Sequence, residues 1–435
     1  MALTESVTPL SDAATPGRDR AIDVARLAAL VVVMFGHSAL LLATIDDGGL
    51  RIGNILGELP ALAPITWVVQ VMPLFFLAGG AAGAYGWHPG RTSWGTWLFT
   101  RAQRLCRPVF WYLAFWTAAL VVARAVLGAE SAAGLGRECV ALLWFLGVYL
   151  VVLAFVPALT RLRGLRSIMA VVLGLILVAA AFDTLRLALD NPEAGLANFV
   201  VVWLIPMVIG VGYARGLTRP LVALAGAAVA LVAQVVLAVT GPYDVSLVVT
   251  GTERMSNVSP PTTLLALHCT WMSLLFVAAA GPIRRWAQRP RVWTVVATGN
   301  AGAMTLYLWH IPAIAVATFG LHAGGLDAYD VHAAGFWGLL ALRAVVFAVV
   351  MTGLFLLLSP LEHRPLPWWD RPAAATGARS VAAGALVCAA GVALLLMAKF
   401  GLSGAAGYGA LGVFLVAVAT ARLAAVLPRP VAVIR

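Results

Sequence analysis

The chain has 435 residues, of which 62% are hydrophobic and 11% charged, with a mean hydropathy of +0.95 and a net charge of +11. No soluble core needs so much apolar surface, so a water-soluble globular protein is excluded and an all-α, polytopic transmembrane helical bundle is predicted. The basic balance does not mark a nucleic-acid partner, because the arginines are scattered between apolar runs in the pattern that orients membrane proteins.

Apolar segments of about 17 to 25 residues, the length a bilayer asks of a helix, fall near residues 22–44, 62–86, 108–128, 139–160, 167–187, 198–214, 219–240, 262–281, 296–320, 336–359, 380–399 and 405–427. These are twelve predicted spans. The polar "SDAATPGRDR" and a first span that begins only after Arg20 lack the basic-then-apolar layout of a cleavable leader, so the first helix is expected to be retained. Connecting segments alternate between arginine-bearing ones (Arg18 and Arg20; Arg101, Arg104 and Arg107; Arg284 and Arg285; Arg429 and Arg435) and acidic ones (Asp46 and Asp47; Asp183, Asp190 and Glu193; Asp327 and Asp330). By the positive-inside rule this predicts a multi-pass cell-membrane protein with both termini cytoplasmic. The expected organisation is a cytoplasmic tail at 1–19, a functional body of ten helices at 20–360, a linker at 361–379 and a C-terminal helix pair with its tail at 380–435.

The first span, "RAIDVARLAALVVVMFGHSALL", carries one ionisable group deep in its apolar run, His37. At about 100° per residue, the eleven-residue step from Arg26 to His37 returns to the same face within about 20°, at a rise of about 16 Å. Asp23 shares that stripe. An intramembrane imidazole needs a reason, either a packing hydrogen bond or a function, and the shared stripe favours function. The second span combines Pro73 with Gly79, Gly80 and Gly83, which permit bending and close helix approach. In "RTSWGTWLFTRAQRLCRP", the residues Arg101, Arg104 and Arg107 recur at a three-residue step that is expected to put their side chains along one side of a helix. Guanidinium forks suit phosphates, and the diphosphate and ribose phosphate of a coenzyme A tail are a fitting cytoplasmic ligand. The turn "TERMSNVSPPTTLL" offers Glu253 and Asn257 to a polar acceptor, although ordinary loop chemistry explains it about as well. His268, in "LLALHCTW", is a weaker third histidine. In "AMTLYLWHIPAI", His310 precedes Pro312, whose missing N–H is tolerated in a membrane helix beside protein or a cavity.

The four cysteines, Cys106, Cys139, Cys269 and Cys388, lack metal-ligand spacing and read as packing residues, so no metal is expected. There is no phosphate loop with a lysine and no nucleophile-elbow serine. The chemistry is left to histidine, arginine and shape.

These residues resemble the membrane acyltransferase 3 family. Its first-helix mark, an arginine followed after ten residues by a histidine, is matched by Arg26 and His37. "MPLFFLAGG", "LLWFLGVYLVVLAFVPAL" and "YLWHIP" are similar to three further family segments, in matching order, over about residues 20 to 360. The resemblance implies ten core helices and transfer of an acyl group, commonly acetyl, from a cytoplasmic acyl-CoA such as acetyl-CoA. The acceptor it implies is a hydroxyl on a carbohydrate, a lipid-linked molecule or a small secreted molecule. It also maps the late family histidine onto His310. The additional C-terminal pair departs from the family pattern. In this reading His37 is a general base, or accepts the acyl group itself, with His310 beside it in the chemistry. Arg26, Arg101, Arg104 and Arg107 hold the donor. The alternative from another class is a secondary transporter with twelve helices, against which stand the absence of visible repeat symmetry and of midplane acids.

Overall fold

The computed structural model describes residues 19–46, 49–251 and 255–426. The predicted tail through Arg18, Asp47, Glu253, Arg429 and Arg435 lie outside the described residues. Among the described residues, twelve helical segments are long and apolar enough to cross a membrane: Arg20–Leu40, Pro60–Tyr85, Trp94–Val126, Ala129–Leu153, Leu165–Ala188, Pro192–Ala214, Pro220–Thr240, Thr263–Trp286, Ala303–His322, Phe336–His363, Gly377–Phe400 and Gly404–Ala425. In lipid only a helix or a closed barrel satisfies its own backbone, and apolar runs of this length adopt the first solution. The protein is a multi-pass helical membrane protein.

The count agrees with the sequence reading, but several boundaries differ; the fourth span, expected at 139–160, runs Ala129–Leu153. The first span stops at Leu40 instead of near 44, because the chain turns there into an antiparallel hairpin, β1 (Leu41–Asp46) and β2 (Gly49–Asn54), with Leu41 opposite Asn54. The third begins at Trp94, not 108. Arg101, Arg104 and Arg107 therefore ride on the helix and are not loop residues; Arg, Gln, Leu and Ala propagate helix well even where hydropathy dips. The segment predicted at 296–320 is two helices, Pro290–Ala301 and Ala303–His322, parted at Gly302.

Each end of the bundle is fastened by polar contacts. Where the first span begins, hereafter the basic end, Asp19 caps the helix by accepting from the Ala21 N–H. Asp19 also accepts from Arg284 at 2.8 Å and Tyr213 at 2.6 Å. Burial pushes the Asp19 carboxyl up, but the bonds from Arg284 and Tyr213 outweigh it and hold the group below its ordinary value. At the opposite, hairpin end, Thr44 donates to Asp327 at 2.9 Å, and Gln70 and Trp67 donate to the carbonyls of Leu247 and Val245. Asp183, read from the sequence as a loop acid, lies inside the fifth span and is 1% exposed. It accepts from the Thr263 N–H and hydroxyl, both at 2.7 Å, and from Tyr243 at 2.9 Å.

Two helix crossings are close because they lack side chains. A Cβ on Gly80 would sit 2.3 Å from the Met207 carbonyl, and one on Gly210 would sit 2.1 Å from that of Leu77, so the second and sixth spans nearly touch backbones. Likewise Gly147 and Gly391 each face the other's carbonyl, at 2.5 and 2.7 Å from an added Cβ. Small residues are what permit such approach in a membrane, where packing replaces the hydrophobic drive. The second crossing matters for the architecture, since it seats the eleventh span, from the C-terminal pair, against the fourth. The linker is bound in as well. Gln103 and Trp369 exchange bonds through Gln103 Nε2 to the Trp369 carbonyl at 2.6 Å and Trp369 Nε1 back to the Gln103 carbonyl at 2.9 Å. The N–H groups of Ala374 and Ala375 donate to the Ala425 carbonyl.

Candidate functional site

The fold brings two predicted residues, 273 positions apart, into hydrogen-bond contact: His37 Nδ1 lies 3.0 Å from His310 Nε2, with the rings 12° from parallel. The proton arrangement follows from the neighbours. His310 Nδ1 is 2.7 Å from the Tyr307 carbonyl, which only accepts, so that nitrogen carries a proton. With one proton on each ring, His310 Nε2 is then the acceptor and His37 Nδ1 the donor. The unshared pair left over is on His37 Nε2. His310 is fully buried and His37 half-buried, so the second ring orients and the first presents. A ring whose free nitrogen is oriented by a second ring has the geometry to take a proton from a hydroxyl. Tyr307 is itself anchored by donating from its hydroxyl to the Leu142 carbonyl, and Trp309 packs edge-on against Tyr112 and Phe115.

A cavity of about 710 Å³ opens at the basic end, lined by Thr100, Gln103, Arg104, Arg107, Glu362 and Asp370 among others. That volume is within the range of small-molecule sites. The three predicted arginines divide over it. Arg104 is exposed and has no polar partner among the described residues. Arg107 also lines the cavity but is engaged, donating to the Glu362 carbonyl at 2.9 Å and to Asp370 at 3.2 Å. Arg101 is off the cavity wall, its guanidinium 3.9 Å from the Trp97 ring centroid. A step of three residues turns a helix by about 300°, so each arginine is rotated about 60° from the last and the trio fans out. The expectation of one shared face is corrected accordingly. Arg26 is exposed on the first span, and Tyr149 lies within electrostatic range of both Arg26 and Arg101.

The other predicted residues do not join the pair. Asn257 is 2% exposed and its side chain is consumed inside its own loop: it donates to the carbonyls of Asp244 and Ser246, and accepts from the Thr262 hydroxyl. No polar atom is left to meet an acceptor, which corrects the sequence reading. His268 is fully buried and donates to the Gln70 carbonyl at 2.7 Å, where the second span is interrupted. It serves the bend.

Sequence reasoning passed over Glu362 and Asp370, because both fall in a segment read as a linker. Glu362 accepts from the N–H and hydroxyl of Thr305, at 2.9 and 2.8 Å, satisfying the start of the helix that carries His310. It also lines a narrow cleft with Pro108, Trp111, Thr305 and Trp309. Arg343, fully buried in the tenth span, was equally overlooked, although a lone guanidinium in an apolar run is a signal in its own right. Among the described residues no cluster of three His, Cys, Asp or Glu side chains is placed to hold a metal ion.

No curated protein and no solved structure matches the chain. The sequence profile of the acyltransferase 3 family, described as an acyltransferase domain, matches residues 19–359, which takes in both histidines, Arg26 and the arginines of the third span. That match decides between the two classes the sequence left open, in favour of the enzyme over the transporter. A helical membrane bundle whose residues 19–359 fit that profile belongs to the acyltransferase 3 family and is an acyltransferase.

Proposed function

We propose that the protein moves an acetyl group from cytoplasmic acetyl-CoA to a hydroxyl on a carbohydrate or other envelope or secreted acceptor, with His37 as the general base. The observation that carries this reading is the His37–His310 contact, which leaves His37 Nε2 as the free lone pair. A hydroxyl is a weak nucleophile near neutral pH. An imidazole placed against it takes its proton as oxygen attacks the thioester carbon, and returns that proton to the departing coenzyme A sulfur. His310 holds His37 in the productive tautomer throughout.

The basic end faces the cytosol in this reading, by the positive-inside rule, and its cavity takes the phosphates of the donor. Arg104 is the guanidinium with donors to give, and Arg26 and Arg101 both lie within electrostatic range of Tyr149.

The test is thermal stability of the detergent-purified protein with and without acetyl-CoA, followed by transfer in vesicles. A ligand that binds only the folded state raises the melting temperature. The native protein and His37→Ala should both be stabilised, and an Arg101, Arg104, Arg107 triple alanine should not. Only the native protein should then transfer label from acetyl-CoA. Transfer at the native rate by His37→Ala would overturn the role of the base; the absence of stabilisation at millimolar donor would overturn the donor. Mixing with donor alone and searching for acetyl on His37 separates base from acyl carrier, since both use Nε2.

A further inference from the structure

The run "FWGLLALRAVVFAVV" places one arginine, Arg343, about 10 Å along the tenth span from its hairpin-end start. It is 1% exposed. Its Nη2 donates at 2.6 Å to the carbonyl of Ser38, in the turn of the first span that holds His37, and at 2.7 Å to that of Leu41, the first residue of β1. Four residues on, Phe347 meets Phe35 edge to face at 5.3 Å. The two helices thus run antiparallel in this register, and Arg343 stands level with the His37 turn.

Capping two carbonyls does not require a guanidinium. The remaining donors, Nε and Nη1, are buried without a hydrogen-bond partner among the described residues. A buried cation left unpaired costs several kcal/mol, and a fold that keeps one needs a reason. The histidine pair supplies such a reason. Both of its N–H groups are engaged, one between the rings and one on the Tyr307 carbonyl, so the pair offers no donor to the oxygen that turns negative when an acyl carbon is attacked. A fixed positive charge bonded to the end of the helix that carries His37 is the kind of preorganised electrostatics that acyl transfer rewards most.

We propose that Arg343 is the oxyanion-stabilising group of acyl transfer at the His37–His310 pair. The inference rests on the acyltransferase reading given above. The step is balanced: the acceptor oxygen bonds to the acyl carbon as its proton passes to His37 Nε2, and the carbonyl electrons move onto oxygen, facing Arg343 Nε and Nη1. The carbon–sulfur bond then breaks as the carbonyl re-forms, and the proton goes to the coenzyme A thiolate.

The experiment uses the full-length protein, acetyl-CoA and its ketone analogue in which a methylene replaces the thioester sulfur. Infrared difference spectra of the isotope-labelled ketone should show the carbonyl stretch at lower frequency when bound to the native protein, and near its solution value when bound to Arg343→Gln. Arg343→Lys, which keeps the charge without the fork, should fall between. Thiol release from acetyl-CoA, with water as acceptor, should fall about 100-fold in kcat for Arg343→Gln with the donor KM little changed. Both variants should keep the donor-induced rise in melting temperature. An unshifted carbonyl in a native protein that is thermally stabilised by the ketone overturns the proposal while sparing the donor reading; this arm needs no variant to fold. The absence of thermal stabilisation by either ligand removes the donor reading and the inference together. A shifted carbonyl that is unchanged in folded Arg343→Gln assigns the polarisation to another group and also overturns it.

Discussion

The ninth span holds two histidines twelve residues apart, about 18 Å along the helix axis, and their settings differ in kind. His310 is fully buried and bonded to another imidazole, a contact in which one ring must give and the other receive, so that a lone pair is left over at His37. His322 is part-exposed at the hairpin end and bonded through Nδ1 to Asp327 at 2.8 Å. Asp327 also receives the Thr44 hydroxyl. That second arrangement ties the end of the ninth helix to its own following loop and to β1. The difference teaches that a histidine's partner, more than its presence in a span, decides its use. The His37–His310 contact leaves a ring nitrogen free; the pair at the hairpin end closes a joint.

The comparison is broken most forcefully at its centre. Removing the base with His37→Ala should lower the rate of transfer from acetyl-CoA by roughly 100-fold to 10,000-fold in vesicles, without loss of donor-induced stabilisation. A loss that spares kcat and raises only the donor KM should instead follow Arg104→Ala, at about tenfold to a hundredfold, the value of a charge-assisted bond to phosphate. His310→Ala removes the orienter alone and should cost kcat roughly tenfold, as measured in the same transfer assay. Asp19→Asn concerns the basic end and stability only. Because the Asp19 carboxyl is held below its ordinary value of 3.8, its contribution is fully present above that pH and is lost as the pH falls through the depressed value. The variant should therefore melt lower than the native protein at neutral pH, by about 1 to 3 kcal/mol in stability, and the gap should close in strong acid. The smallest effect is expected of His322→Ala, which should change stability by no more than about 1 kcal/mol, as a part-exposed pair does, and leave transfer unchanged. A kinetic defect there would erase the distinction between the two histidines.

Much of this could be read from the chain, and the failures have physical causes. Twelve spans were legible because bilayer thickness imposes a length that few other structures share. His37 and His310 stood out singly, as ionisable groups in oil. Their contact was not legible: helical periodicity gives the face of a residue but not the helix it meets. The start of the third span was misplaced because hydropathy, which dips across "TRAQRLCRP", measures lipid affinity and not helix formation. Asn257 was misread because a polar turn suggests exposure, whereas this turn folds inward around carbonyls of Asp244 and Ser246 that need donors. Glu362 and Asp370 were lost with the linker, which was expected only to connect.

That linker gives the cavity mixed parentage. One wall, with Thr100, Gln103, Arg104 and Arg107, comes from the part of the chain that matches the family profile. The facing wall, with Glu362, His363, Asp370 and Pro372, comes from residues past the end of that match and is held by the last two helices. A ligand that spans the seam therefore depends on the last two helices being in place, while one that touches only the first wall does not.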